Sequence, residues 1–372
     1  MHRSTPLATF SLSVIVSLSI MLGGCEAEQS VTATEPAQPV PDNTILAAGS
    51  SFAAPIFNQW FSVYGAEHTA LSLSYDSIGS GAGIERFLAG SADIGTTDAP
   101  LNADEVEQAE GEFVQLPVTG GMIAIAYNLP DYPGPLNLPR DVYTEIFLGQ
   151  AFRWDDPRIA AANPGMKLPP RLIQVVGRRD SSGTTFAFTH HLAAISDDWA
   201  NGPGVGKRID WPGGAMEATG NEGVAQRIKI TQGSIGYVEA GFAQRLGLSI
   251  AWLENEAGGF VLPSVETGRR GLADGTDTPP SDLTRTIPDP KGARSYPIVT
   301  YTWALASTAY DTQSKTAEVK ALLRWILTDG QQDAEALGYV PLPENMVQAA
   351  LNVLEDRVGG PKKSLLTADD AD

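Results

Sequence analysis

Short apolar runs alternate along this chain with small-residue loops that open into apolar positions at helical spacing. Residues 45–48 (Ile-Leu-Ala-Ala) read as a strand entering Gly49-Ser50-Ser51-Phe52, after which Pro55 and then Phe57, Trp60, Phe61 and Tyr64 mark a helix with an aromatic core face. Residues 71–75 alternate like a strand and feed Gly79-Ser80-Gly81-Ala82-Gly83, with Ile84, Phe87 and Leu88 on the helix behind. Residues 92–95 lead into Thr96-Thr97-Asp98-Ala99-Pro100. Strand, loop and helix in repetition favour a parallel sheet with ligands at the carboxyl ends of its strands. Further strands are expected at 122–127, preceded by Pro117 and Gly120-Gly121, at 173–176, at 235–238 and at 296–305. Helical spacing returns at Phe186, Phe188, Leu192 and Ile195, and again at Val319, Leu322, Leu323, Trp325 and Ile326. Residues 258–295, rich in Gly, Pro, Asp and Thr, are expected as a long loop. No internal repeat is evident.

Three of the loops share one chemistry. Gly49-Ser50-Ser51-Phe52, Gly79-Ser80-Gly81-Ala82-Gly83 and Arg178-Arg179-Asp180-Ser181-Ser182-Gly183-Thr184 each run into a helix start. There the first backbone N–H groups lack partners and the macrodipole is positive, which suits an oxyanion. Glycine admits close backbone approach, and Ser or Thr adds a hydroxyl donor. Any one of these loops is equally an ordinary cap or turn. All three, with Arg178 beside one and Asp98 near another, point to a single small oxyanion.

The ends and the composition narrow the setting. Arg3 precedes an apolar run over residues 10–22, which as a helix spans only about 20 Å against a hydrocarbon core of about 30 Å. It reads as a signal segment over 1–25. It ends in Leu22-Gly23-Gly24-Cys25, which resembles the bacterial lipobox and makes Cys25, the one cysteine in the chain, a lipidation candidate. With one thiol, no disulfide forms within the chain and a cysteine-built zinc site is excluded. Residues 26–43, with Pro36, Pro39 and Pro41 among small and polar residues, read as a flexible tether, and 359–372 as a polar tail. The rest is large enough for two lobes. A formal net charge of −19 argues against nucleic acid and anionic membrane surfaces as partners. It does not exclude an anionic ligand, because scattered carboxylates are screened over about 8 Å at physiological salt while local dipoles dominate a closed cleft.

The ordered motifs resemble a known family. Residues 48–55 (Ala-Gly-Ser-Ser-Phe-Ala-Ala-Pro), 78–83 (Ile-Gly-Ser-Gly-Ala-Gly), 97–100 (Thr-Asp-Ala-Pro), 178–186 with Ser182-Gly183-Thr184, Gly220-Asn221-Glu222-Gly223 and 233–239 occur in the order found in the substrate-binding protein of the bacterial phosphate ABC importer. The resemblance implies an α/β, two-lobed periplasmic-binding-protein fold (type II) with the ligand cleft between lobes. Lobe I would hold 44–119 and 296–358, and lobe II 120–295. It implies phosphate binding through Ser51, the Phe52 amide, Ser80, Asp98, Arg178, Ser182, the Gly183 amide and Thr184. It further implies delivery to a membrane permease, location in the periplasm or at the cell surface, a monomer, no cofactor, no metal and no catalysis. Ser51 stands where the family often has Thr, Ser181 where it often has Gly, and Arg179 where a small residue is commoner, so Arg178 and Arg179 could share or exchange duties.

In this reading Asp98 accepts the proton that phosphate retains near neutral pH and that sulfate lacks. An unsatisfied buried acceptor costs about 1–3 kcal/mol, roughly 10- to 100-fold in affinity. Taken alone, Asp98 is as well explained as a turn or cap residue before Pro100. Arg178 would offer a forked donor, oriented by Asp180. Two alternatives compete: a binder of another oxyanion on the same fold, and a secreted phosphate-ester hydrolase with Ser182 or Ser51 as nucleophile. The hydrolase needs a base, and outside the signal segment only His68, His190 and His191 are present, with no Gly-x-Ser-x-Gly elbow and no Walker loop. Of the adjacent pair His190 and His191, one is expected on the surface and one partly packed.

Overall fold

The first apolar run becomes β1 (Thr44–Gly49), and Pro55 in the first turn opens α1 (Ala54–Glu67), whose Phe57, Trp60, Phe61 and Tyr64 are buried as the spacing requires. The molecule is a computed structural model that describes residues 43–359 apart from 110, 133, 134, 152 and 275–281. The signal segment with Cys25, the tether up to residue 42 and the tail beyond residue 359 lie outside the described residues. Next come β2 (Ser72–Ser77), α2 (Ser80–Leu88), β3 (Ile94–Thr97) and α3 (Ala103–Glu107), with β1 parallel to both β2 and β3. This is the expected strand–loop–helix repetition.

Beyond it the sheet departs from the parallel expectation. The long strand β4 (Phe113–Tyr127) is followed by β5 (Asn137–Leu138), α4 (Arg140–Phe147), α5 (Pro157–Ala162), β6 (Gln174–Arg178), α6 (Gly183–Ile195) and α7 (Asp197–Asn201). Then come β7 (Met216–Ala218), α8 (Gly220–Ile230), β8 (Ser234–Glu239), α9 (Ala240–Arg245), β9 (Ser249–Ile250), β10 (Trp252–Glu254), β11 (Phe260–Val261) and α10 (Val265–Ala273). The chain closes with β12 (Val299–Ser307), α11 (Gln313–Leu327) and α12 (Glu344–Arg357). The sheet order is β2-β1-β3-β12-β4-β8-β6-β7, with β9 also on β4. Two parallel triplets, β2-β1-β3 and β8-β6-β7, are joined through antiparallel pairs of β12 and β4. Residues 113–122 of β4 pair with β12 and residues 123–127 with β8, so one strand runs through both half-sheets.

Two local expectations are corrected. The strand expected at 122–127 begins at Phe113, and Pro117 and Gly120-Gly121 lie inside it. Pro117 faces Trp303 beside an irregularity between Thr302 and Trp303, a place where a missing N–H is tolerated. A Cβ on Gly120 would stand 2.2 Å from Leu272 Cδ1, and one on Gly121 would stand 2.5 Å from the Phe52 ring, so these glycines permit close packing. Residues 258–295 are not all loop, since α10 starts at a Ser264–Thr267 capping box. Gly268 and Gly271 hid its periodicity, yet both are required: a Cβ would come within 2.7 Å of Met122 Sδ or 2.8 Å of Val299 Cγ1.

Candidate functional site

The loop after β1 carries the first half of the site. Gly49 adopts φ 143° and lets the backbone touch Thr96, where a Cβ would lie 2.1 Å from the Thr96 carbonyl oxygen. That contact lets the Ser50 amide donate to Thr96 O (3.0 Å) and Thr96 Oγ1 (2.9 Å). The Ser50 hydroxyl lies 2.7 Å from both oxygens of Asp98 and donates to that carboxylate, while Thr302 Oγ1 on β12 donates to Asp98 Oδ1 at 2.7 Å. Ser80 Oγ, at the start of α2, accepts the Asp98 amide at 3.3 Å. Asp98 lies in the bend directly after β3, is 1 % exposed and caps no helix, so of the turn and cap roles its sequence context allowed, the cap is excluded. Burial pushes its pKa up to about 6, against the Ser50 and Thr302 hydrogen bonds and the Arg178 charge.

Strand β6 delivers the second half. Arg178 is 2 % exposed; its Nε and Nη2 donate to Asp180 Oδ1 (2.8 Å) and Oδ2 (2.5 Å). Its remaining terminal nitrogen, Nη1, is buried without a hydrogen-bond partner. Burial alone would raise the Asp180 pKa, but the Arg178 hydrogen bond and charge and the Gly220 amide hold it below the usual range. Tyr237 on β8 fixes the Arg178 backbone, accepting its amide at 3.2 Å and sharing a hydrogen bond with Thr185 Oγ1 at 2.7 Å. Arg179 takes no part in this. It is exposed, with Nη2 on the Glu217 carbonyl at 3.4 Å, and does not share the Asp180 contact.

Ser182 caps α6, its Oγ accepting the Thr185 amide at 3.1 Å, and Gly183 and Thr184 follow with first-turn amides that have no partner inside the helix. The two halves meet here. A Cβ on Gly183 would stand 2.6 Å from both the Asp98 nitrogen and Ser80 Oγ, and the Gly81 amide donates to the Ser181 carbonyl at 3.1 Å. Ser51 Oγ accepts the Asn221 amide at 3.0 Å and Asn221 Nδ2 at 3.1 Å, and Nδ2 also donates to Thr184 Oγ1 at 3.0 Å. Thus Ser51, Phe52, Ser80, Asp98, Arg178, Ser182, Gly183 and Thr184 are all buried and belong to loops that touch one another.

Ser50, Thr302 and Asn221 were not among the expected contacts. Ser50 and Asn221 stand inside recognised motifs and were legible by adjacency, whereas Thr302 lies mid-strand with no local signal. The histidine expectation is corrected in part: one residue is partly packed as expected, but the other is fully buried and not on the surface. His191 is buried, with Nε2 2.8 Å from the Tyr143 hydroxyl and Nδ1 2.7 Å from the Pro288 carbonyl, and burial pushes its pKa down to about 4. His190 is half-buried with its ring 5.6 Å from that of Phe186. The Ser182 hydroxyl is engaged with the Thr185 amide, and His191 faces Tyr143, Pro288 and Asp289.

Known proteins resemble this chain over most of its length. A family model described as a PBP superfamily domain matches residues 31–330. The Phosphate-binding protein PstS of Haemophilus influenzae is 38 % identical over 306 residues, covering 82 % of this chain and 90 % of that protein. The Xylella fastidiosa protein of the same name is 35 % identical over 327 residues, covering 87 % and 88 %. Among solved structures, a phosphate-binding protein from Stenotrophomonas maltophilia superposes with a TM-score of 0.66 at 18 % identity, over 83 % of this chain and 93 % of that one. A periplasmic phosphate-binding protein, PfluDING, solved with bound phosphate, gives 0.65 at 21 % identity over 82 % and 92 %. By these measures the chain belongs to the PstS family of phosphate-binding proteins and has the two-lobed α/β fold of periplasmic binding proteins.

Proposed function

We propose that this chain binds inorganic phosphate in the cleft between two lobes and hands it to a membrane ABC permease for import. It is a solute-binding receptor and not an enzyme. The observation that carries the ligand assignment is the pairing of opposite hydrogen-bond polarities in one dry place: the Asp98 carboxylate, an acceptor, and the unpartnered Nη1 of Arg178, a donor. Phosphate near neutral pH presents both kinds of group, an O–H for Asp98 and bare oxygens for the guanidinium. Sulfate presents only bare oxygens, which Asp98 repels.

In this reading the hydroxyls of Ser51, Ser80, Ser182 and Thr184 and the amides of Phe52, Gly183 and Thr184 replace the hydration shell of the anion. Charge-assisted bonds of this kind contribute about 1.5–3 kcal/mol each, which offsets the cost of dehydrating the anion. The lobes divide as 44–119 with 296–358, and 120–295. The crossings in β4 and β12 then act as the hinge, and closure creates the shape a permease recognises. Cys25 serves as a lipid anchor, which with the tether keeps a monomeric receptor on a membrane in the periplasm or at the cell surface. Equilibrium dialysis with labelled phosphate tests the assignment. Retention unaffected by excess sulfate is expected, and preference for sulfate would overturn it.

A further inference from the structure

Asn221 makes three side-chain hydrogen bonds, all buried, and their directions are fixed. Its Oδ1 accepts the Glu239 amide at 2.8 Å, so the amide cannot be flipped without setting NH2 against N–H. Nδ2 therefore faces Ser51 Oγ at 3.1 Å and Thr184 Oγ1 at 3.0 Å, spending one hydrogen on each. The Asn221 backbone amide adds a second donor to Ser51 Oγ at 3.0 Å. A hydroxyl has two acceptor sites and one proton. With both acceptor sites of Ser51 filled, its proton has to be given away. Thr184 is biased the same way.

We infer that Asn221 is a positioning residue that sets hydrogen-bond polarity: it holds the Ser51 and Thr184 hydroxyls as donors toward the anion. The cleft is thereby divided into a donor-only wall and a single acceptor, Asp98. A hydroxyl left to rotate offers a lone pair as readily as a proton, so it would admit neutral, hydroxyl-rich solutes. A hydroxyl locked as a donor admits only an acceptor. Because Asn221 belongs to the α8 start and Ser51 to the loop after β1, 170 positions apart in sequence, the locking takes place only when the two loops are together. The inference rests on the phosphate assignment and extends it to the source of the polarity.

Phosphate binding to the full chain by calorimetry, for Asn221→Ala and Asn221→Asp in the wild-type and Ser51→Ala backgrounds, tests this. Alanine removes the side-chain donors and leaves the backbone one, so a loss of about 10-fold is expected. Aspartate keeps the shape but accepts where Asn221 donated, drawing both hydroxyl protons toward itself, so about 1,000-fold is expected. If Asn221 served packing alone, the isosteric aspartate would be the milder change, and that order would overturn the inference. Charge repulsion by the aspartate is separated by the cycle: in the Ser51→Ala background the gap between the two variants should shrink at least about fivefold, and an unchanged gap would overturn it. Should the aspartate variant not fold, the alanine loss alone decides, being smaller in the Ser51→Ala background if the inference holds and equal if it does not. A wild-type chain that bound no phosphate would overturn the functional assignment and this inference together, whereas wild-type binding with the wrong variant order would overturn this inference only.

Discussion

Gly183 and Asp98 meet so closely that a Cβ on Gly183 would stand 2.6 Å from the Asp98 amide nitrogen and 2.7 Å from its Cβ. The Asp98 nitrogen and Cβ are on or next to backbone, so neither can swing aside to make room. The contact joins the α6 start to the loop after β3, and it exists only while the two loops are together. Gly183→Ala is therefore expected to weaken phosphate binding by about 100-fold or more while leaving the far-ultraviolet circular dichroism unchanged. Calorimetric affinity within threefold of wild type would show that this approach is not needed in the bound state.

Asp98 gives a pH dependence with a definite sign. Its folded pKa, raised to about 6 by burial, exceeds the ordinary value of 3.8, so the folded chain binds the proton more tightly than the unfolded one. Its contribution to stability is then fully present below pH 3.8 and lost as pH rises through about 6, a swing of about 3 kcal/mol. Asp98→Asn should remove that swing from the phosphate-free protein, so that the stability of the variant relative to wild type rises between pH 4 and pH 7. Denaturant melts across that range check it, and a constant difference would refute it. The same substitution replaces a pure acceptor by a group that also donates. The preference for phosphate over sulfate should accordingly fall by tenfold or more, a larger change than the loss in phosphate affinity itself.

In the proposed reading Arg178 does two jobs with one planar fork. Nε and Nη2 hold Asp180, and Nη1, buried without a partner, would be the donor to phosphate. A lysine is a point charge on a flexible stem and cannot keep both the two-point contact and the ligand-facing donor. Arg178→Lys is expected to lose about 100-fold or more in phosphate affinity and to lower the melting temperature, because Asp180 is left with only part of its pairing. Unchanged affinity, measured by equilibrium dialysis, would remove Arg178 from the ligand shell.

How much of this was legible in the sequence follows from how local each signal is. The loops at Gly49, Gly79 and Ser182 announce themselves because a helix start needs particular residues within four positions. The helical aromatics of α1 follow from spacing alone. Thr302, by contrast, reaches Asp98 across 204 positions through sheet pairing, and nothing near it in sequence marks it. The mixed sheet was hidden for the same reason, since strand order is a property of distant pairings. Helix α10 was hidden by Gly268 and Gly271, which serve Met122, Val340 and Val299 rather than the helix that contains them. Glycine read as a turn signal misleads wherever it is there to make room.

Lys207 offers a test of closure that leaves the anion shell untouched. Its ammonium group pairs with Glu105 on α3, whose other oxygen accepts the Asn102 amide at 2.9 Å, and its carbonyl accepts the Ser182 amide at 2.7 Å. One residue thus links the α6 cap to the loop region of the other half-sheet, through side chains only 14 % and 18 % exposed. A partly screened pair of this kind contributes about 1 kcal/mol, equivalent to roughly fivefold in a rate or equilibrium constant. If it holds the loops together, the contribution belongs to the closed form and appears in phosphate release rather than capture. Lys207→Met keeps the backbone bond to Ser182 and removes only the charge, so stopped-flow release should quicken about fivefold at low salt. Raising the ionic strength should quicken release from wild type and bring it toward the variant, which lacks the pair and responds less, because salt screens charges that solvent can reach. Equal release rates at low salt would mean that the pair stays formed in both states, or that closure does not depend on it.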